Sequence, residues 1–201
     1  MRAPLAAAIL LALAASAFAQ GAPTPALRGV IESVAADGAS LTTRTREGEQ
    51  KALTLNGDTK IARIAAASLA DVKAGAFVGA AAMPGDNGTL KALEVHIFPE
   101  SMRGAGEGTR PFDLAPGSSM TNGAIQARVD VVDGPKIVVA YKGGQQTIVI
   151  DQSTPIVAIQ PGGREDLKVG AAIVARGKAT DDGAFAARSI AVGVGGVVPP
   201  M

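Results

Sequence analysis

Residues 71–78 read Asp71-Val-Lys-Ala-Gly-Ala-Phe-Val78, and nearly the same phrase returns as Asp166-Leu-Lys-Val-Gly-Ala-Ala-Ile173. Outward from this stretch the match continues without gaps at a constant offset of 95 residues. Gly48 meets Gly143, Gln50 meets Gln145, Thr59 meets Thr154, Ile61 meets Ile156, and Ile64 meets Ile159. Downstream, Ala80 meets Ala175, Asp86-x-Gly88 meets Asp181-x-Gly183, and Ala92 meets Ala187. That is 13 identities over positions 48–98, and apolar character matches where identity fails: Leu53/Ile148, Leu55/Ile150, Val78/Ile173, Val95/Ile190. Upstream, Gly29-Val-Ile aligns with Gly123-Ala-Ile after a small gap. Two copies are too few for a solenoid, which needs at least three stacked units. Each copy, 27–98 and 121–192, is therefore expected to be a small domain with its own core.

Each copy reads as β. Val30 to Val34 alternates, Asp37-Gly38 turns the chain, Ser40 to Arg46 is Thr-rich, Glu47-Gly48 turns again, and Lys51 to Leu55 alternates. Thr59 to Ile64 is a fourth strand, and Ser68 to Gly75 has room for a single helical turn. Phe77–Met83 and Leu90–Phe98 flank an Asn87-Gly88 turn, and copy two repeats the order with turns at Asp133-Gly134, Gly143-Gly144 and Asp182-Gly183. The fold expected is all-β, two tandem OB-like barrels with one short helical turn each, because closure removes edge strands. An open sandwich is the alternative.

The chain has 201 residues, no cysteine, one histidine, no tryptophan, and 19 Lys+Arg against 18 Asp+Glu. Disulfides, thiolate metal sites and cysteine nucleophiles are excluded. Near-neutral charge with few aromatics argues against nucleic acid, which needs a basic groove with stacking rings. Arg2, the apolar run Pro4–Ala15 and Ala17-Phe18-Ala19 read as a Sec signal over 1–19, cut after Ala19. The run is too short to span a bilayer, so no membrane span is expected after cleavage, and the location expected is periplasmic or secreted. Residues 20–26 form a leader and 193–201 a C-terminal tail.

The unit built on Asp71-Val-Lys-Ala-Gly75 and Asp86-Asn-Gly88 resembles a family of secreted bacterial domains of unknown function, OB-like and single or tandem. That family carries an acidic residue after the Gly; Ala76 and Ala171 stand there in this chain. The middle segment, His96-Ile-Phe-Pro-Glu-Ser-Met-Arg-Gly and onward to Ser119-Met-Thr-Asn122, is similar to that of short alphaproteobacterial exported proteins, some named metal transporter permeases. One removable apolar segment cannot make a permease. The resemblance implies a fold and a location and no catalytic residues.

The linker 99–120 holds four glycines and three prolines, alternating charges, and Met102, Phe112, Leu114 and Met120. Simple tethers are Gly/Ser or Pro repeats, so an ordered Gly/Pro loop that joins the barrels is expected, with a flexible tether as the alternative. Phe98, Met102, Arg103, Arg110 and Phe112 are its candidate partner-binding residues. Glu94 and His96 share one face of a strand, and with Glu100 they are a candidate metal set. The alternative is that they form the solvated face of that strand; Ser189 and Ala191 replace the pair in copy two. No cofactor site is legible, and Gly193-Val-Gly195-Gly196 lacks the Lys-Ser/Thr of a phosphate loop. No nucleophile or acid/base constellation is visible, so the function expected is a non-catalytic binding or scaffold module for an envelope protein or glycan. A small metal-binding accessory protein is the alternative.

Overall fold

Three short strands that alternate inward and outward form a meander at the start of each repeat. The computed structural model describes residues 26–130 and 134–199. The segment read as a Sec signal, most of the stretch read as a leader, Asp133 and the last two residues lie outside the described residues. In the first meander, β1 (Ala26–Val34), β2 (Ser40–Thr45) and β3 (Gln50–Thr54) pair antiparallel in turn. The chain then runs through β4 (Lys60–Ala66) and a 3-10 turn at Leu69–Asp71. A hairpin follows: β5 (Phe77–Pro84) and β6 (Leu90–Ile97). Asn87 and Gly88 both take positive φ at its turn, 52° and 74°, the conformation that Asn-Gly favours. After the linker strand β7 (Gly108–Pro111) the order repeats. The second meander is β8 (Ser119–Val129), β9 (Lys136–Tyr141) and β10 (Gly144–Val149). Then come β11 (Ile156–Pro161), a 3-10 turn at Arg164–Asp166, and the hairpin of β12 (Ala172–Ala179) and β13 (Phe185–Gly193).

The two barrels are closed, OB-like and five-stranded, but neither is made from one repeat. The first barrel joins meander β1-β2-β3 to hairpin β12-β13. β12 pairs antiparallel with β1, and β13 pairs parallel with β3 at Phe185↔Leu53. The second barrel joins meander β8-β9-β10 to hairpin β5-β6, through β5–β8 and the parallel contact Ile148↔Leu90. The cores follow suit. Ile31, Leu41, Leu53 and Leu55 pack with Leu167, Ile173, Phe185 and Ile190. Val72, Val78, Ala80 and Val95 pack with Ile125, Ile137, Ile148 and Ile150. The expectation that each repeat encloses its own core is thus corrected: the repeats exchange hairpins.

The crossing is made by β4 and β11. They pair antiparallel, and Ile64 lies opposite Ile159, its own equivalent 95 residues on. A pseudo-two-fold axis therefore passes through that pair. β4 also lies parallel beside β13, and β11 parallel beside β6, so each crossing strand is sealed against the barrel it leads away from. Ile64, Val157 and Ile159 form a third apolar cluster at the crossing. The exchange is sterically possible because the inward residues of the two hairpins are matched in kind, so either hairpin fits either meander.

Glycine is needed where the first strand of each barrel leaves one neighbour and joins the next. A Cβ on Gly29 would stand 2.3 Å from the Arg44 carbonyl oxygen, and one on Gly123 2.2 Å from that of Ala140. These are backbone clashes that no rotamer relieves.

Candidate functional site

The linker is ordered and strapped to both barrels. Pro99 opens a 3-10 turn at Glu100–Met102, and β7 then pairs with the first half of β8, Gly108↔Asn122 to Pro111↔Ser119. Arg103 binds Glu100 through Nε and Nη2 and donates from Nη2 to the Gly75 carbonyl at 2.9 Å. Its guanidinium lies 5.9 Å from the centre of the Phe77 ring. The Glu107 carboxylate accepts the Lys142 N–H, and Asn122 Nδ2 donates to the Ala105 carbonyl at 3.0 Å. Further on, Ser118 Oγ donates to the Phe112 carbonyl and accepts the Ala115 N–H. Asp113 then reaches the other barrel, where both of its oxygens meet the Arg28 guanidinium at 3.2–3.3 Å.

Electrostatics favour this clasp in its charged form. Burial pushes the Asp113 carboxyl up, but the Arg28 hydrogen bonds and the Arg28 and Arg176 charges outweigh it and hold the group below the usual carboxylate range. The Arg103 hydrogen bonds hold Glu100 below that range as well.

Of the candidate partner-binding residues, Met102, Arg103 and Arg110 are exposed on the outer side of the clasp. Phe98 and Phe112 are half-buried. Phe98 stacks on Phe77 with centroids 5.5 Å apart and packs against the apolar cluster at the crossing. Its ring thus serves packing at the crossing.

Of the candidate metal set, the structure brings Glu94 and His96 together and leaves Glu100 out. Val95 points into the second barrel, so its neighbours in sequence point away from that core. They are not solvated: Glu94 is 0% and His96 2% exposed. Phe98 lies tilted beside the imidazole, and β11 pairs with β6 at Val157↔His96. His96 Nε2 is hydrogen-bonded to Glu94 Oε1, while Glu94 Oε2 is buried without a partner. Glu100 is turned to Arg103 with its side chain 75% exposed. Among the described residues no group of three or more His, Asp or Glu side chains could hold a metal ion. One imidazole and one carboxylate sealed from water make a structural pair.

Gly79 explains how the clasp fits. It lies between His96 and Asn122 in one rung of the sheet. A Cβ there would stand 2.7 Å from Asn122 Oδ1 and 3.0 Å from the Phe98 ring, so the bare backbone leaves room for both side chains.

A cleft of about 450 Å³ lies at the end of the first barrel, with Val30, Val169 and Val198 on its rim and Arg63 and Asp166 within. The matching end of the second barrel is covered by Arg103 on the Gly75 carbonyl.

Two closed five-stranded barrels joined by a structured clasp define an OB-like tandem β-barrel protein. The chain belongs to the family described as a domain of unknown function, DUF5666, whose model matches it twice, over residues 28–96 and 122–191. No curated protein and no solved structure matches the chain. Among the described residues no helix is long and apolar enough to cross a membrane.

Proposed function

We propose that the chain is a non-catalytic exported binding or scaffold module that meets an envelope protein or glycan through the outer side of the clasp. The observation that carries this reading is the clasp itself. A segment that only tethered two barrels would not need a strand pairing and a buried Asn122 contact on the second barrel and an ion pair to Arg28 on the first to hold it in place. Fixing it costs conformational entropy, and what it displays as a result is Met102, Arg103 and Arg110. The N-terminal segment read as a Sec signal supports export. The lone histidine lies sealed beneath Phe98, and Ser118 spends its hydroxyl within the clasp, which supports a role without catalysis.

The test is a photo-crosslinking amino acid at Met102, in the full-length chain expressed in a bacterial envelope. The reading predicts a discrete adduct at 102 that is absent when the probe stands at Arg46, an exposed turn residue of the first barrel. Equal adducts at both positions, or none at 102, would rule the clasp out as the contact surface.

A further inference from the structure

We propose that the outer face of the first barrel, where Arg28, Arg110 and Arg188 gather around Arg176 and Asp113 pairs with Arg28, is a binding site for a tetrahedral oxyanion, a phosphate or sulfate group. The proposal rests on the binding-module reading and supplies its ligand class.

The register brings the group together. On β1 and β12, Ala26 lies opposite Arg176 and Arg28 opposite Val174, so the two arginines are diagonal neighbours on one face. Arg176 faces Ser189 on β13, and Arg188 occupies the irregularity beside it, where the register shifts at Arg176/Gly177. Arg110 arrives from β7, with Nη1 on the Gly106 carbonyl at 2.7 Å, close enough for Arg176 to act on its charge.

The cluster holds four guanidiniums against one carboxylate, in a chain whose cations and anions otherwise nearly cancel. Asp113 is engaged by Arg28, whose side chain is only 15% exposed. Arg176 is half-buried and makes no hydrogen bond or ion pair with any described residue, so its donors are unspent. Burial, then the Arg28 and Arg188 charges, make Arg176 easier to deprotonate than an ordinary arginine, against the opposing pull of Asp113; burial and the Arg176 charge do the same to Arg110. Arg28 and Arg176, partly withdrawn from water and crowded by the exposed Arg110 and Arg188, gain from an anion, and the planar fork of guanidinium donors matches the oxygens of phosphate or sulfate.

The pattern is not a requirement of the barrel. Asn122, Ala81 and Leu93 stand at the equivalent positions of the second barrel. There β7 pairs along β8 and the clasp covers the face. On the first barrel the clasp contributes Arg110 and Asp113 and leaves the face open, and the Asp113 carboxylate already shows the face accepting an anion.

The test titrates the full mature chain with inorganic phosphate at low ionic strength, and in a second arm with vesicles containing phosphatidate. Saturable binding is expected in one arm or both. Free phosphate binding points to a soluble oxyanion, and vesicle binding alone to a phosphoryl group carried on a lipid. In the arm that binds, Arg176→Gln weakens binding by about tenfold or more. Asp113→Asn tightens it by removing the resident competitor, and Arg46→Gln leaves it unchanged. Arg188→Gln, at an exposed position, repeats the test should Arg176→Gln disturb the fold. No binding in either arm, or binding indifferent to both arginine variants, overturns the proposal. Loss of phosphate binding with the Met102 adduct intact removes the ligand class and leaves the binding-module reading standing; the reverse pattern removes the clasp contact alone.

Discussion

A chain of residues 119–199, the second repeat with its tail, is expected to run as a dimer and not as a folded monomer. Alone, its meander β8-β9-β10 lacks the hairpin that closes it, and its own hairpin β12-β13 lies beyond the crossing strand β11. As a monomer it would leave one side of Ile125, Ile137, Val139 and Ile148 in water, and so small a domain has no other core to rely on. A second copy supplies what is missing. Each hairpin closes the other's meander, and β11 pairs with its counterpart across a true two-fold at Ile159, where Ile64 stands in the whole chain. This repeat also carries Ser189 and Ala191 in place of Glu94 and His96, so cutting it out uncovers no buried ionisable pair. Sedimentation equilibrium should give twice the chain mass, with a urea midpoint that rises with protein concentration. A cooperatively folded monomer would mean that a repeat can close its own barrel.

His96→Ala is expected to destabilise the whole protein by about 3–5 kcal/mol, because it leaves a fully buried acid with neither oxygen satisfied. The double variant Glu94→Ser/His96→Ala installs the residues that the second repeat carries at these positions. It leaves a larger cavity, yet it should recover about half of the loss or more, since it removes the stranded acid. Urea unfolding of the three proteins decides between charge and packing. If the double variant is less stable than His96→Ala, the cost lies in lost volume and the pair contributes mainly as filling.

The strands and turns were legible because their signals are local. Alternation marks β1 to β3, Asn87-Gly88 marks the hairpin, and the offset of 95 residues marks the repeat. The exchange was not legible, for the reason that makes it possible. Val78 and Ile173, or Ala80 and Ala175, serve either core, so the inward pattern carries no information on which meander a hairpin joins. The period-2 reading put Glu94 and His96 on one face of their strand, but periodicity does not show what buries them: β11 from the other repeat, and Phe98 folded back beside the imidazole. Glu100 follows a 3-10 turn away from the pair, which spacing alone could not show. The arginine cluster was invisible because its members come from β1, β7, β12 and β13, and only the exchange and the clasp bring them to one face.

Each barrel is built from both repeats, and the absence of cysteine from the chain allows this to be tested by a single crosslink. Val30 on β1 lies opposite Ala172 on β12. The Ile31 N–H bonds the Ala171 carbonyl, so 30 and 172 form the adjacent pair without ladder bonds, where Cβ atoms are closest. In the variant Val30→Cys/Ala172→Cys, mild oxidation should give an intrachain disulfide in high yield, with mobility shifted on a non-reducing gel and the linked peptides found by mass spectrometry. Free thiols after oxidation of a folded monomer, or a disulfide formed only between two chains, would contradict the exchange within one chain.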